Sequence, residues 1–165
     1  MQKTKNKPKH NKLLDHVMEV KIETATPKLL DTLFKIEQQC FDEEAFTKRQ
    51  IAYLLTDYNT IALAAKTGTE VAGFVIAQVE TNEIEFGHII TLNVAPNFRH
   101  QGIATMLLRE MESLLRQRGI GECRLEVRED NHPAIKLYHK LGYQTLGKLE
   151  RYYGRKHGLY LKKTL

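Results

Sequence analysis

Apolar positions along the chain repeat every second residue in some stretches and every third or fourth in others, and the changes mark out elements. Met18, Val20 and Ile22 alternate with Glu19, Lys21 and Glu23, the pattern of a strand with one buried face. Thr26-Pro27 then opens a helix, with threonine as N-cap and proline at the first helical position. Leu29, Leu30, Leu33, Phe34 and Ile36 give that helix an apolar face up to about Cys40. Residues 41–46 read as a loop or short turn. Thr47-Lys48-Arg49-Gln50 is a capping box, so a second helix runs from there to about Leu55. Strands over residues 60–66 and 71–80 flank Thr67-Gly68-Thr69, a hairpin signal. A third strand covers about residues 84–94, and Pro96 ends it. A long amphipathic helix follows over about residues 102–118, with Ile103, Met106, Leu107, Met111, Leu114 and Leu115 inward and Gly119 and Gly121 closing it. Next come a strand over residues 123–127 and a helix over 133–141 that Gly142 terminates. Residues 143–149 and 157–163 read as two last strands around a turn at residues 152–154.

The order β-α-α-β-β-β-α-β-α-β-β predicts an α/β (α+β) fold, a mixed sheet with helices on its faces. The third strand, long helix and next strand form a crossover, so those two strands should run parallel. No stretch repeats another, and no apolar run reaches the roughly 20 residues that span a bilayer. The basic start is followed by no apolar stretch, so neither a secretory signal nor a membrane partner is expected.

Charge adds one point. The chain carries 25 basic and 20 acidic residues, a net charge of +5. Lys3, Lys5, Lys7, Lys9 and Lys12 account for the excess, since residues 1–12 hold no acid. The basicity therefore belongs to a polar tail, expected to be disordered over residues 1–16, ahead of one folded domain over 17–165. A basic groove for a specific nucleic acid is not expected. Cys40 and Cys123 lie far apart in apolar stretches and have no metal-type spacing, which predicts two buried, reduced thiols in a cytoplasmic protein without a metal site.

One loop lacks an ordinary explanation. Val94-Ala95-Pro96-Asn97-Phe98-Arg99-His100-Gln101-Gly102-Ile103-Ala104 joins a strand to the long helix. His100, Gln101 and Gly102 stand where Ser, Thr, Asp or Asn would cap the first N–H groups. A bound anion can satisfy those groups, and the helix dipole favours it. Gly102 permits close approach, small Ala104 leaves room, and Arg99 adds positive charge, so the loop suits a pyrophosphate. An ordinary helix start capped by glycine and water gives the same local pattern. The loop is neither a Walker loop nor a dinucleotide fingerprint.

Arg99-x-x-Gly102-x-Ala104 resembles the Arg/Gln-x-x-Gly-x-Gly/Ala signature of the GNAT acetyltransferase superfamily. Leu92-Asn93-Val94-x-Pro96 before it and Leu107-Leu108 after it fit as well. Downstream, Leu125-Glu126-Val127-Arg128-x-x-Asn131-x-x-Ala134-Ile135-x-Leu137-Tyr138-x-x-Leu141-Gly142-Tyr143 closely resembles the second signature of ribosomal-protein alanine N-acetyltransferases and other protein N-terminal acetyltransferases. The resemblance implies the GNAT fold, a mixed central sheet with helices on both faces and splayed parallel strands that hold acetyl-CoA. It implies that Leu92, Asn93 and Val94 line the pantetheine arm, that Arg99, His100, Gln101, Gly102, Ile103 and Ala104 cradle the pyrophosphate, and that Asn131 bonds the arm. A plain helix cap at Asn131 is the alternative.

The same resemblance makes Tyr138 the general acid for the departing thiolate; a phenol of pKa about 10 keeps its proton at neutral pH. A core tyrosine is the plainer reading. Glu126 matches the catalytic base, which must take a proton from an incoming ammonium. Alternation puts Glu126 between Arg124 and Arg128 on one face, where it could instead be salt-bridged. His88 is the second candidate base, read as sharing a face with Phe86, Ile90 and Leu92. Glu43 and Glu44 are further candidate bases, in the loop that walls the acceptor site in the family. Tyr152-Tyr153 stand where N-terminal acetyltransferases carry a tyrosine pair against the substrate backbone. Cys123 is the only cysteine near the motifs and faces away from Glu126, so direct attack in a ternary complex is expected rather than an acyl-enzyme. The expected acceptor is a protein N-terminus, ribosomal proteins included. A small amine or lysine acceptor and a non-catalytic acyl-CoA-binding module are the alternatives.

Overall fold

A computed structural model describes residues 18–165. The basic tail and its expected disorder lie outside the described residues. Eleven main elements follow in the predicted order: β1 (Val20–Thr24), α1 (Leu30–Cys40), α2 (Lys48–Thr56), β2 (Thr60–Thr67), β3 (Glu70–Glu80), β4 (Phe86–Val94), α3 (Ile103–Gln117), β5 (Glu122–Arg128), α4 (His132–Lys140), β6 (Gln144–Tyr153) and β7 (Lys156–Thr164). The strands form one seven-stranded sheet in the order β1-β2-β3-β4-β5-β7-β6. Its neighbours are antiparallel except β4 and β5, whose parallel pairing is what the α3 crossover demands.

Apolar side chains cover both faces. On one, Ile103, Leu107, Leu108, Met111 and Leu115 of α3 pack with Ile89, Leu125, Val127 and Tyr138. On the other, Leu33 and Ile36 of α1 and Ile51 and Leu54 of α2 pack with Phe74 and Ile76. Gly87 has a packing reason: a Cβ there would run into the Leu115 side chain. Burying each of these Leu and Ile side chains contributes about 1.5–3 kcal/mol, so the helices are held by the sheet and not by propensity alone.

Two irregularities in β4 shape the centre. Ile76 pairs with Thr91 while Ala77 pairs with Ile89, which leaves Ile90 as the extra residue of a β-bulge. The bulge breaks the alternation: Ile90 packs on the α1/α2 side, whereas Leu92 and Val94 pack on the α3 side. His88 therefore does not share a face with Leu92, contrary to the sequence expectation. Secondly, β4 and β5 pair only over Gly87–Ile89 and Cys123–Leu125. Beyond these residues β4 keeps β3 and β5 keeps β7, and the two part from each other.

Smaller expectations change too. Thr26 makes no side-chain cap bond, because residues 27–29 start as a 3-10 turn. Met106 is 38% exposed and Leu108 takes the inward place. Tyr152 and Tyr153 belong to β6, so the turn falls at residues 154–155. Cys40 is only half-buried.

Candidate active site

The parting of β4 and β5 opens a cleft of about 1220 Å³, bounded by α1 and the α1–α2 loop, the start of α3, α4, and the Tyr152-Tyr153 pair. Pockets for a single small ligand run about 300–1000 Å³, so this one has room for a long ligand and a second molecule.

One end is built from backbone. Gly102 is the N-cap of α3 with φ 78°, and no side chain caps the helix. The preceding His100 also has positive φ, 61°, uncommon for a residue with a Cβ. Gly102 and the first-turn residues Ile103, Ala104 and Thr105 of α3 line the cleft. Space beyond Gly102 is open, with no atom within 4 Å of where a Cβ would sit. This is an uncapped helix start in an anion-binding form. Ile103 is 1% exposed and can offer only its backbone, while Ala104 and His100 line the cleft beside it and Gln101 does not. Arg99 folds back: its Nε donates to the Val94 carbonyl at 3.2 Å and its Nη2 to Cys40 Sγ at 3.6 Å. The Cys40 thiol donates to the same carbonyl at 3.4 Å. Cys40 thus lies beside the signature loop, a position its distance in sequence had hidden; burial raises its pKa despite Arg99, so it is a weak nucleophile.

The middle carries the titratable groups. His88 Nε2 and Glu126 Oε2 are 2.6 Å apart. The two residues read from sequence as rival bases are thus one hydrogen-bonded pair. Both are mostly buried, with side-chain exposures of 22% and 17%. Strand alternation turns them toward the α1/α2 side, opposite Ile89, Leu125 and Val127. Burial disfavours the His88 imidazolium, but the Glu126 hydrogen bond and charge, with Glu80 at 3.7 Å from Nδ1, outweigh it and raise the pKa above 6.5. The flanking arginines are engaged elsewhere. Arg124 pairs with Glu122, donates to the Tyr160 hydroxyl and stacks on Phe86. Arg128 bonds Asp130 at 2.5 Å and Glu44 at 3.1 Å.

Tyr138 enters from the α4 side. It is 7% exposed, edge-on to Tyr143 at 5.6 Å, and lines the cleft. Burial raises its pKa further, so the phenol keeps its proton. Its hydroxyl has no hydrogen-bond partner among the described residues. Asn131 caps α4, its Oδ1 accepting from Ala134 N at 3.3 Å, and also lines the cleft, which leaves its NH₂ free to donate. The cap is in place, and it is compatible with the coenzyme role expected from the sequence. Leu92, Asn93 and Val94 line the cleft along the unpaired side of β4.

At the acceptor end, Glu44 reaches Arg128 across the cleft while Glu43 is exposed. Tyr152 and Tyr153 pack edge-to-face at 4.9 Å. Adjacent strand residues normally face opposite ways; here β6 bulges between Leu149 and Tyr153, with Arg151 at φ 50°, and both rings line the cleft. Burial and the neighbouring Tyr152 raise the pKa of Tyr153.

Sequence reading missed Glu37. It is 1% exposed, accepting from Phe46 N at 3.1 Å, Thr91 Oγ1 at 3.0 Å and Asn93 Nδ2 at 2.9 Å. Burial raises its pKa against those three bonds. The signal was present: Glu37 lies four residues after Leu33, on the apolar stripe of α1. Among the described residues, no cluster of three or more His, Cys, Asp or Glu could hold a metal, and no helix is long and apolar enough to cross a membrane.

Comparison with known proteins agrees with this arrangement. Residues 28–143 match the acetyltransferase (GNAT) family. The chain is similar to the N-terminal acetyltransferase complex ARD1 subunit homolog of Dictyostelium discoideum, 33% identical over 123 residues. That match covers 73% of this chain and 61% of the relative, so the chain spans less than two thirds of the relative's length. The fold is similar to the Escherichia coli ribosomal-protein-S18-alanine N-acetyltransferase, with a TM-score of 0.80 at 23% identity over 88% of this chain and 94% of that one. It is also similar to the PaiA N-acetyltransferase of Thermoplasma acidophilum, solved with coenzyme A, with a TM-score of 0.75 at 21% identity over 90% of this chain and 100% of that one. With a family match across most of its length and the splayed strands and uncapped helix in place, the chain belongs to the GNAT acetyltransferase family.

Proposed function

We propose that this enzyme moves acetyl from acetyl-CoA to the N-terminal α-amine of a protein or peptide by direct attack in a ternary complex. The observation that carries the reading is the His88–Glu126 pair, 2.6 Å apart where β4 and β5 separate, with Tyr138 on the other side of the sheet. Acetyl-CoA, when bound, supplies the thioester carbonyl for the amine to attack. The chain fits it: an uncapped helix start for the pyrophosphate, an open approach at Gly102, the unpaired side of β4 at residues 92–94, and the Asn131 NH₂.

Each residue then has one task. His88 and Glu126 hold the proton that an ammonium must lose, acting as a coupled unit because one hydrogen bond joins them. Tyr138 keeps its proton until the leaving sulfur needs it. Arg99, braced on Val94, adds positive charge beside the phosphate cradle. The acceptor end contrasts: Glu126 and Glu44 line it, each already partnered, by His88 and by Arg128. Tyr152 and Tyr153 form a wall suited to a peptide backbone. The ARD1 homologue and the ribosomal-protein alanine acetyltransferase carry protein N-terminal activity in their names, which supports the same acceptor class here.

The test is incubation with labelled acetyl-CoA and a panel of peptides, ribosomal-protein N-termini among them, each offered with a free or blocked α-amine. Mass spectrometry should place the acetyl group on the free α-amine. Acetylation only of lysine side chains or polyamines would overturn the acceptor assignment. Tight coenzyme binding with no transfer to any amine would overturn the enzymatic reading.

A further inference from the structure

After Ile89, β4 has a strand neighbour on one side only, because β5 has moved away. A bulged, one-sided strand next to His88 needs another restraint to hold a fixed position. Glu37 supplies it from α1. Its Oε2 accepts from Thr91 and Asn93, the two β4 residues after the bulge that face α1, and its Oε1 accepts from the Phe46 N–H of the α1–α2 loop. Asn93 Nδ2 also donates to Thr91 Oγ1 at 2.8 Å, closing the network. Glu37, Phe46, Thr91 and Asn93 all border the cleft, so one carboxylate joins the wall that carries Glu44 to the strand that carries His88.

An apolar side chain would fill this place on α1 without the cost of burying a carboxylate. The carboxylate's return is geometric: three hydrogen bonds that join the α1–α2 loop at Phe46 to β4 at Thr91 and Asn93. Resting on the N-acetyltransferase reading above, we propose that Glu37 is a positioning residue that sets the width of the acceptor groove against the His88–Glu126 pair. Asn93 Oδ1, buried without a partner, adds a prediction. In Glu37→Gln one oxygen still accepts from the Phe46 N–H, and the new NH₂ can donate to Asn93 Oδ1 once the Asn93 amide turns over; the turned Asn93 NH₂ then takes the unpartnered place, so glutamine should restore part of what alanine removes.

The experiment compares wild type, Glu37→Ala, Glu37→Gln and Thr91→Val. Kinetics with a free-amine peptide acceptor from the panel above are normalised to coenzyme-binding sites, and hydrogen exchange is followed at the Phe46 amide and over residues 90–93. Glu37→Ala should raise acceptor KM and lower kcat, together costing at least about tenfold in kcat/KM, because displacement of about 1 Å at a reacting centre can cost 10²-fold. Its coenzyme Kd should stay within about twofold, and the Phe46 amide should exchange faster while α3 is unchanged. Glu37→Gln should lie nearer wild type than alanine does, and Thr91→Val, which loses the hydroxyl's bond to Glu37 and its bond from Asn93, should also fall between wild type and alanine. Thr91→Val and Glu37→Gln keep the test decisive if the alanine variant does not fold. Wild-type kinetics in Glu37→Ala or Thr91→Val, or unchanged Phe46 exchange in Glu37→Ala, would overturn the positioning role. A wild-type protein that acetylates no acceptor would instead overturn the activity reading itself.

Discussion

The two ends of the cleft are built in opposite ways. On the proposed reading the phosphate end is one continuous stretch, residues 99–104, and would work through backbone N–H groups that a helix start leaves unpaired. The acceptor end is assembled from five separated segments: Glu37 and Glu44 before and within the α1–α2 loop, Glu80 at the end of β3, His88 on β4, Glu126 and Arg128 on β5, and Tyr152-Tyr153 on β6. It works through side chains. A local, backbone-built site is readable as a motif, because spacing in sequence is spacing in space. A side-chain site spread over the sheet is readable only once register and bulges are known.

The comparison breaks most sharply if substitutions at one end disturb the other. Glu126→Gln should lower kcat by about 10²–10⁴-fold, the range expected when a positioned base loses its proton-accepting capacity. Coenzyme affinity, measured by titration, should be unchanged. A large loss of coenzyme affinity would show that the pair also holds the donor and that the two ends are not separable.

Tyr138→Phe comes next. It deletes only a hydroxyl that has no protein partner among the described residues, so packing against Tyr143 should persist. Loss of a general acid predicts a kcat lower by about 10²-fold at unchanged coenzyme affinity. Unchanged turnover in steady-state assays would reduce Tyr138 to a core residue.

Gly102→Ala probes the other end. Alanine has room there but must adopt φ 78°, which costs about 1–2 kcal/mol for a residue with a Cβ. Relaxing that strain would turn the N–H groups away from the cleft. Coenzyme Kd should rise by about tenfold, the equivalent of 1.4 kcal/mol, with acceptor KM at saturating coenzyme unchanged.

His88 supplies a pH test. Its folded pKa lies above 6.5, chiefly because Glu126 outweighs burial, with Glu80 adding to the effect. The basic form needed to take a proton therefore populates only as pH rises through that raised value, and kcat/KM should climb there. Stability runs the other way: the ion pair's contribution is complete below 6.5 and is lost as pH rises through the folded pKa. Glu80→Gln removes one charge that favours the imidazolium, so the inflection should move toward lower pH. An inflection that stays in place would exclude His88 as the group titrating in the profile.

Much of this was legible in advance. The element order, the parallel β4–β5 pair, the α2 capping box and the uncapped start of α3 follow from periodicity and local chemistry, which act over a few residues. The bulge at Ile90 was not, because a register shift is decided by the neighbouring strand, and it moved Leu92 to the opposite face from His88. Pairing His88 with Glu126 needed the parallel register across 38 residues of chain. Cys40 read as the end of an apolar helix face and Glu37 was passed over, and the packing of α1 onto β4 shows what they touch.

The smallest expected effect decides how Asn131 divides between its two readings, and so whether the coenzyme end is wholly backbone-built. Asn and Asp cap helices almost equally well, whereas alanine costs about 1 kcal/mol. Asn131→Ala should therefore lower Tm by about 2–4 °C for a domain of this size. Asn131→Asp keeps the oxygen that accepts from Ala134 N but loses the NH₂ donor, so Tm should hold. If that NH₂ bonds the coenzyme arm, both variants weaken coenzyme binding by a similar, few-fold amount, since one lost hydrogen bond is worth about 0.5–1.5 kcal/mol. If Asn131 is only a cap, Asn131→Asp binds coenzyme as wild type does, and the contrast between a backbone-built and a side-chain-built end is complete.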